Sequence, residues 1–197
     1  IQFLLSGNMA GILSVLYTSL MALPVPFQPV HLLFINLLTD SLPAIAIGME
    51  PAEKNLLSDK PRDPKEGILT REFMTNILLQ GGLIAIVTMV AFHAGLNQGD
   101  AALASTMAFA TLTAARLFHG FNCRSKHSIF KIGFSRNWSS LGAFAAGMIF
   151  LNLVLFVPVL KGLFMVSELT SMQYGMIYAL AIVPTVLIQL FKVVKEK

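Results

Sequence analysis

Charge is scarce in this chain of 197 residues: Asp, Glu, Lys and Arg together make up 12% of it, roughly half the share a water-soluble domain carries. With 55% hydrophobic residues, the composition excludes an ordinary soluble domain and points to an integral membrane protein. Cysteine is nearly absent as well. Cys123 is the single one, so no internal disulfide can form and a stapled secreted fold is excluded. Ten acidic residues stand against 14 basic ones, giving a net charge of +4 and a pI of about 9.4. In so apolar a chain this excess reflects membrane topology rather than a nucleic-acid partner. A basic leader and a small-residue cleavage site are also missing. A hydrophobic segment opens at Ile1, which reads as part of a longer chain and not as a signal peptide. No internal repeat is visible, so the repeat-built transporter folds gain no support.

A helical span needs about 20 mostly apolar residues. Cutting the sequence at its charges and breakers gives six: about 1–23, 29–49, 73–96, 101–121, 139–160 and 174–191. Pro24, Pro26 and Pro29 mark the turn between the first two. The expected fold class is therefore all-α, a six-transmembrane-helix bundle in the lipid bilayer. Two polar stretches, about 50–72 and 122–137, cannot lie in lipid; the first holds eleven charges and three prolines. Twelve of the 14 Lys and Arg fall in these loops and the C-terminal tail, so the positive-inside rule places all three in the cytoplasm. The plasma membrane is the expected location.

Two ionisable residues fall within the spans, Asp40 and Arg116. A charge at mid-bilayer costs several kcal/mol, which makes each a functional-site expectation. In INLLTDSLP, Asn36, Thr39 and Asp40 stand three and four apart on one helical face, and Pro43 deprives the carbonyl of residue 39 of its helical partner. Oxygen side chains beside a broken helix suit a hard cation wanting about six to eight oxygens. The bland reading is a polar kink satisfied by neighbouring helices. Asn8, in the first span, is read either as an ion ligand or as a helix-bridging amide. Arg116 is read either as a counter-charge facing Asp40, with Gly11 making room for it, or as a side chain snorkelling to the surface. Gln80, Gly81 and Gly82 predict close helix packing. His31, His93 and His119, near span ends, are expected at the interface, with no transition-metal spacing among them.

The run PVHLLFINLLTDSLPAIAIGMEPAEKNLLSDKPRDP resembles the sixth transmembrane helix and following cytosolic loop of type II P-type ATPases, the sarco/endoplasmic-reticulum-like calcium pumps. The six spans then correspond to helices five to ten of such a pump, and residues 1–197 to its C-terminal transmembrane domain. The resemblance implies that Asn8, Asn36, Thr39 and Asp40 are metal ligands, Asp40 contacting both calcium ions of a two-ion pump. It implies calcium as the transported ion, with manganese the rival, and ATP and magnesium as requirements of the full-length protein. The partners it implies are the upstream cytosolic and N-terminal membrane domains, which carry the chemistry; no catalytic residue is expected in this stretch, and ATP hydrolysis by it alone is not. Two departures stand out. Where two-ion pumps carry a glutamate three residues after the fifth-helix asparagine, this sequence has Gly11, and an eighth-helix glutamate aligns with Arg116. The resemblance, with these two acids missing, implies one calcium per cycle. Pro61, Arg62 and Pro64 are expected to stiffen a coupling loop. The rival class is a freestanding six-helix channel or secondary carrier.

Overall fold

The computed structural model describes residues 1–51, 67 and 69–195, excepting the side chains of 38, 39 and 135. Among the described residues most of the backbone is helical, no strand occurs, and six helical stretches are long and apolar enough to cross a membrane. They begin with α1 (Gln2–Leu20). The chain then turns through the proline cluster, with Ala22 in the left-handed region at φ 52°.

The second stretch starts where Pro29, whose φ is preset and whose missing N–H costs nothing in a first turn, opens α2 (Pro29–Phe34). It passes through a π-helical turn, Ile35–Asp40, and continues as α3 (Ser41–Gly48). The expected break at Pro43 is thus a widening. Pro43 has no N–H for the carbonyl four residues back, and the preceding turn relaxes to bonds spanning five residues instead of separating the helix into two.

Local capping chemistry sets the next boundaries. The hydroxyl of Thr70 accepts from the backbone N–H of Phe73 at the start of α4 (Arg71–Gln98). The Asp100 carboxylate does the same for Leu103 at the start of α5 (Ala101–Asn122), as expected of residues at the N-cap. A short α6 (Ile129–Ile132) ends at Gly133, whose φ of 86° favours glycine. Asn137 caps α7 (Trp138–Phe156), accepting from Ser140 N–H at 2.9 Å. Pro158 pushes the preceding Val157 into an extended conformation, which ends α7 at Phe156, and starts α8 (Pro158–Phe164). Finally α9 (Ser171–Lys195) carries Pro184 within it.

α5 is the axis of the bundle. It packs against α1, α4, α7 and α9 and is buried around nearly its whole circumference. Its alanines, serines and threonines let neighbours come close, which is how helices associate in a solvent that offers no hydrophobic gain. Threonine hydroxyls fold back on the helix itself, as from Thr113 to the Phe109 carbonyl at 2.7 Å. The predicted glycine contact is half right. A Cβ at Gly81 would lie 2.8 Å from the Ser6 carbonyl oxygen of α1, whereas one at Gly82 would meet nothing within 4 Å. Gln80 joins the same contact through Gln2 at 2.8 Å.

Candidate ion site in the membrane

Asp40 ends the π-helical turn and is 6% exposed; Arg116, in the last third of α5, is 2% exposed. One terminal nitrogen of the guanidinium, Nη2, donates to both carboxylate oxygens of Asp40 and to Oδ1 of Asn8 at 3.1 Å. Arg116 therefore turns inward to α1 and the π turn and does not snorkel. The pairing has a clear cause. Neither charge is open to water, and each offsets part of the other's desolvation penalty.

The guanidinium lies against α1, and the residue that makes room for it is Gly7. A Cβ there would come within 2.5 Å of Arg116 Nε and 2.7 Å of Cζ. At Gly11 a Cβ would meet nothing within 4 Å, so the expectation that Gly11 provides the space is corrected: Gly11 sits one turn further along, past the guanidinium. Arg116 Nε is buried without a hydrogen-bond partner among the described residues. The inner pair is thus electrically neutral but incompletely satisfied.

Of the oxygen set expected on one helical face, the two described side chains differ in placement, Asp40 buried and Asn36 exposed. Asn8 is brought to Arg116 although its residue surface is largely exposed, while Asn36 is exposed and contributes its backbone carbonyl to the Ser41 hydroxyl at 3.3 Å. The wider turn changes the angular step on which an α-helical reckoning rests. Of the two residues, only Asp40 has an opposite charge buried behind it. The side chain of Thr39 and residues Pro61, Arg62 and Pro64 lie outside the described residues.

Two histidines read as interfacial are interior instead. His31 stacks on Phe109, ring centroids 4.2 Å apart, and bonds the Phe164 carbonyl at 2.7 Å. His119, fully buried one turn beyond Arg116, lies 2.9 Å from the Ser6 hydroxyl and 3.2 Å from the Asn122 amide. No group of three or more His, Cys, Asp or Glu that could hold a metal occurs among the described residues. What the described residues bring together is one carboxylate, one guanidinium and the Asn8 amide oxygen.

At the polar end of the same two helices lies a second pair that sequence reasoning missed. Arg124, two residues past α5, places Nε 2.8 Å from Glu50 Oε2 and Nη2 3.0 Å from Oε1. Asn137 Nδ2 adds bonds of 2.8 Å to Glu50 Oε2 and to the Ala46 carbonyl. Burial alone would push the Glu50 carboxyl up, but the bonds from Arg124 and Asn137 and the charges of Arg124 and Arg136 hold it below the ordinary carboxylate range. One signal existed in the sequence. It was a weak one: Arg124 follows Arg116 by eight residues, but it stands two residues past the end of α5, where helical spacing no longer says which way a side chain faces.

Six helices able to cross a membrane, with a buried acid–arginine pair between them, define a multi-pass membrane domain. Residues 24–194 match the family model described as cation transporting ATPase, C-terminus, and the chain belongs to that family. It is 36% identical over 192 residues to a calcium-transporting ATPase of Bacillus subtilis, covering 95% of this chain and 21% of that protein. To calcium-transporting ATPase 1 of Bacillus cereus it is 32% identical, covering all of this chain and 24% of the relative. To the rat calcium-transporting ATPase type 2C member 2 it is 28% identical over the whole chain and 21% of the relative. The chain spans less than a quarter of the length of these curated relatives.

Proposed function

We propose that this chain is the C-terminal membrane domain of an ATP-driven calcium pump, and that its site serves one calcium ion per cycle. Asp40 is the anionic ligand, with Asn8, Asn36 and Thr39 supplying neutral oxygens. Arg116 is a fixed counter-charge standing where a second ion would otherwise be needed. The observation that carries this reading is the Arg116–Asp40–Asn8 contact, closed by the space at Gly7. Arginine keeps its proton under all physiological conditions, so a guanidinium at this point is a permanent positive charge. A sealed, charge-neutral pair at the centre of the bundle also favours a pump over the channel reading, which requires a continuous polar path.

In this reading the remainder of the pump supplies phosphorylation by ATP with magnesium, the loops at 50–72 and 122–137 and the C-terminal tail lie in the cytoplasm, and the protein resides in the plasma membrane. Pro61, Arg62 and Pro64 belong to the loop that meets the phosphorylation domain, and Arg62→Ala slows turnover more than it changes equilibrium calcium affinity. The deciding experiment is the ratio of calcium transported to ATP hydrolysed by the reconstituted full-length pump. A ratio near one supports the assignment; a ratio near two overturns the counter-charge role of Arg116. Transport of manganese in preference to calcium overturns the choice of ion.

A further inference from the structure

We propose that Glu50, Arg124 and Asn137 form a positioning latch that keeps the Asp40 helix in register with the Arg116 helix while a cation draws on the Asp40 carboxylate. The inference rests on the calcium-site reading above and assigns no ion contact to the latch. Asp40 and Glu50 stand ten residues apart and Arg116 and Arg124 eight apart, Glu50 and Arg124 each two residues past the end of its helix. The same two parts of the chain are thus tied at two levels. One tie fixes a point and permits a pivot; two fix position and tilt.

The two ties are built differently. Arg124 uses its guanidinium fully: Nε and Nη2 engage the two Glu50 oxygens, Nη1 donates to the Phe134 carbonyl at 3.1 Å, and Nη2 reaches the Gly133 carbonyl at 3.4 Å. Its side chain is 0% exposed and that of Glu50 14%. Such two-pronged engagement is both strong and geometrically specific. Asn137 ties a third helix into the arrangement, because the residue that caps α7 through Oδ1 grips the Ala46 carbonyl at the open end of α3 through Nδ2. The same carbonyl accepts from the Met49 N–H at 3.2 Å, so the Asn137 amide is a second donor to the last turn of α3. Arg116, in contrast, engages Asp40 through Nη2 alone and leaves Nε unpartnered. For a cation to be coordinated by Asp40, carboxylate lone pairs must be shared between Arg116 and the ion, and the inner tie weakens at that moment. The outer tie involves none of these groups and holds.

The test uses the full-length pump reconstituted in lipid vesicles, with variants E50Q, R124K and E50Q/R124K. R124K keeps the charge but lacks the fork. Each single variant is expected to raise the calcium concentration for half-maximal phosphorylation by ATP about tenfold, while turnover at saturating calcium stays within about twofold of the parent. The double variant is expected to be no worse than the worse single one, because both remove the same interaction. Unchanged half-saturation, loss confined to maximal turnover, or additive effects overturn the latch. N137A, which leaves the ion pair in place, provides a milder version with an expected shift of about threefold, and no shift there removes Asn137 from the latch. Backbone hydrogen exchange over residues 41–50, measured without calcium, is expected to quicken about tenfold in E50Q, and unchanged exchange overturns the proposal. That measurement needs no ion. A parent pump that fails to respond to calcium therefore overturns the calcium-site reading, and exchange still decides the latch.

Discussion

Asp40–Arg116 and Glu50–Arg124 join the same two parts of the chain, yet they sit in different solvents and are completed to different degrees. The inner pair lies within the apolar bundle, with Gly7 as one wall and an unpartnered Arg116 Nε. The outer pair lies at the polar end, where Asn137 and two backbone carbonyls supply what the ions do not give each other. A buried ion pair is weak evidence of net stabilisation, but removing one member leaves an uncompensated charge and costs about 3–5 kcal/mol. The inner pair therefore carries a large penalty for any change and little spare bonding, which suits a group that must exchange partners. The outer pair, saturated with hydrogen bonds, suits one that must not.

The sharpest way to break this contrast is Asp40→Asn. In the full-length pump it is expected to reduce calcium-dependent phosphorylation at least about a hundredfold, since it removes the charged ligand on which oxygen sites depend. It also leaves Arg116 without an anion, and thermal unfolding in detergent is expected to show a loss of about 3 kcal/mol or more. Phosphorylation with unchanged calcium dependence would remove Asp40 from the site.

A smaller effect is expected from filling the space beside the guanidinium. Gly7→Ala places a Cβ within 2.5 Å of Arg116 Nε, and overpacking of this kind costs about 1–3 kcal/mol. Gly11→Ala, where nothing lies within 4 Å, is expected to be neutral to within about 0.5 kcal/mol. Thermal unfolding of the two variants side by side checks both, and equal effects would refute the assignment of the space to Gly7. Where α4 meets α1, Gly81→Ala is expected to cost about 1–2 kcal/mol against the Ser6 carbonyl, with Gly82→Ala neutral.

The mildest test is pH. The folded-state carboxyl of Glu50 titrates below its ordinary value of 4.5, so its stabilisation is present above that value and is lost as pH falls through the lower, folded one. Thermal stability of the parent is expected to fall more steeply below about pH 4.5 than that of Glu50→Gln. Parallel curves for the two proteins would show that Glu50 contributes no pH-dependent stability.

Much of the bundle was legible because the period of charge and hydrophobicity is a property of the chain itself. The six spans followed from where Asp, Glu, Lys, Arg and Pro stand, and caps such as Thr70, Asp100 and Asn137 are local chemistry. The glycine contact was only partly legible, since Gly81 and Gly82 are neighbours whose difference is an orientation about the helix axis. For the histidines, proximity to a span end was read as proximity to water. His119 lies near the end of α5, but α5 is wrapped on nearly every side, so its end is as buried as its middle.

For the candidate site, the sequence alone determined which residues were too costly to be accidental in lipid: Asp40 and Arg116 stand out because an ionised side chain cannot be solvated there. It also determined that Pro43 must disturb the helix carrying Asp40, because a proline has no N–H to give. Tertiary structure decided the rest. That the disturbance is a π turn, that Arg116 meets Asp40 and Asn8 while Asn36 faces outward, that Gly7 and not Gly11 yields the space, and that Glu50 finds Arg124 from 74 residues away all depend on how α1, the Asp40 helix and α5 are rotated and displaced relative to one another. Local periodicity fixes which face a residue occupies on its own helix. Which partner that face meets is set by the packing of whole helices, where the burial of one unpaired charge outweighs many local preferences.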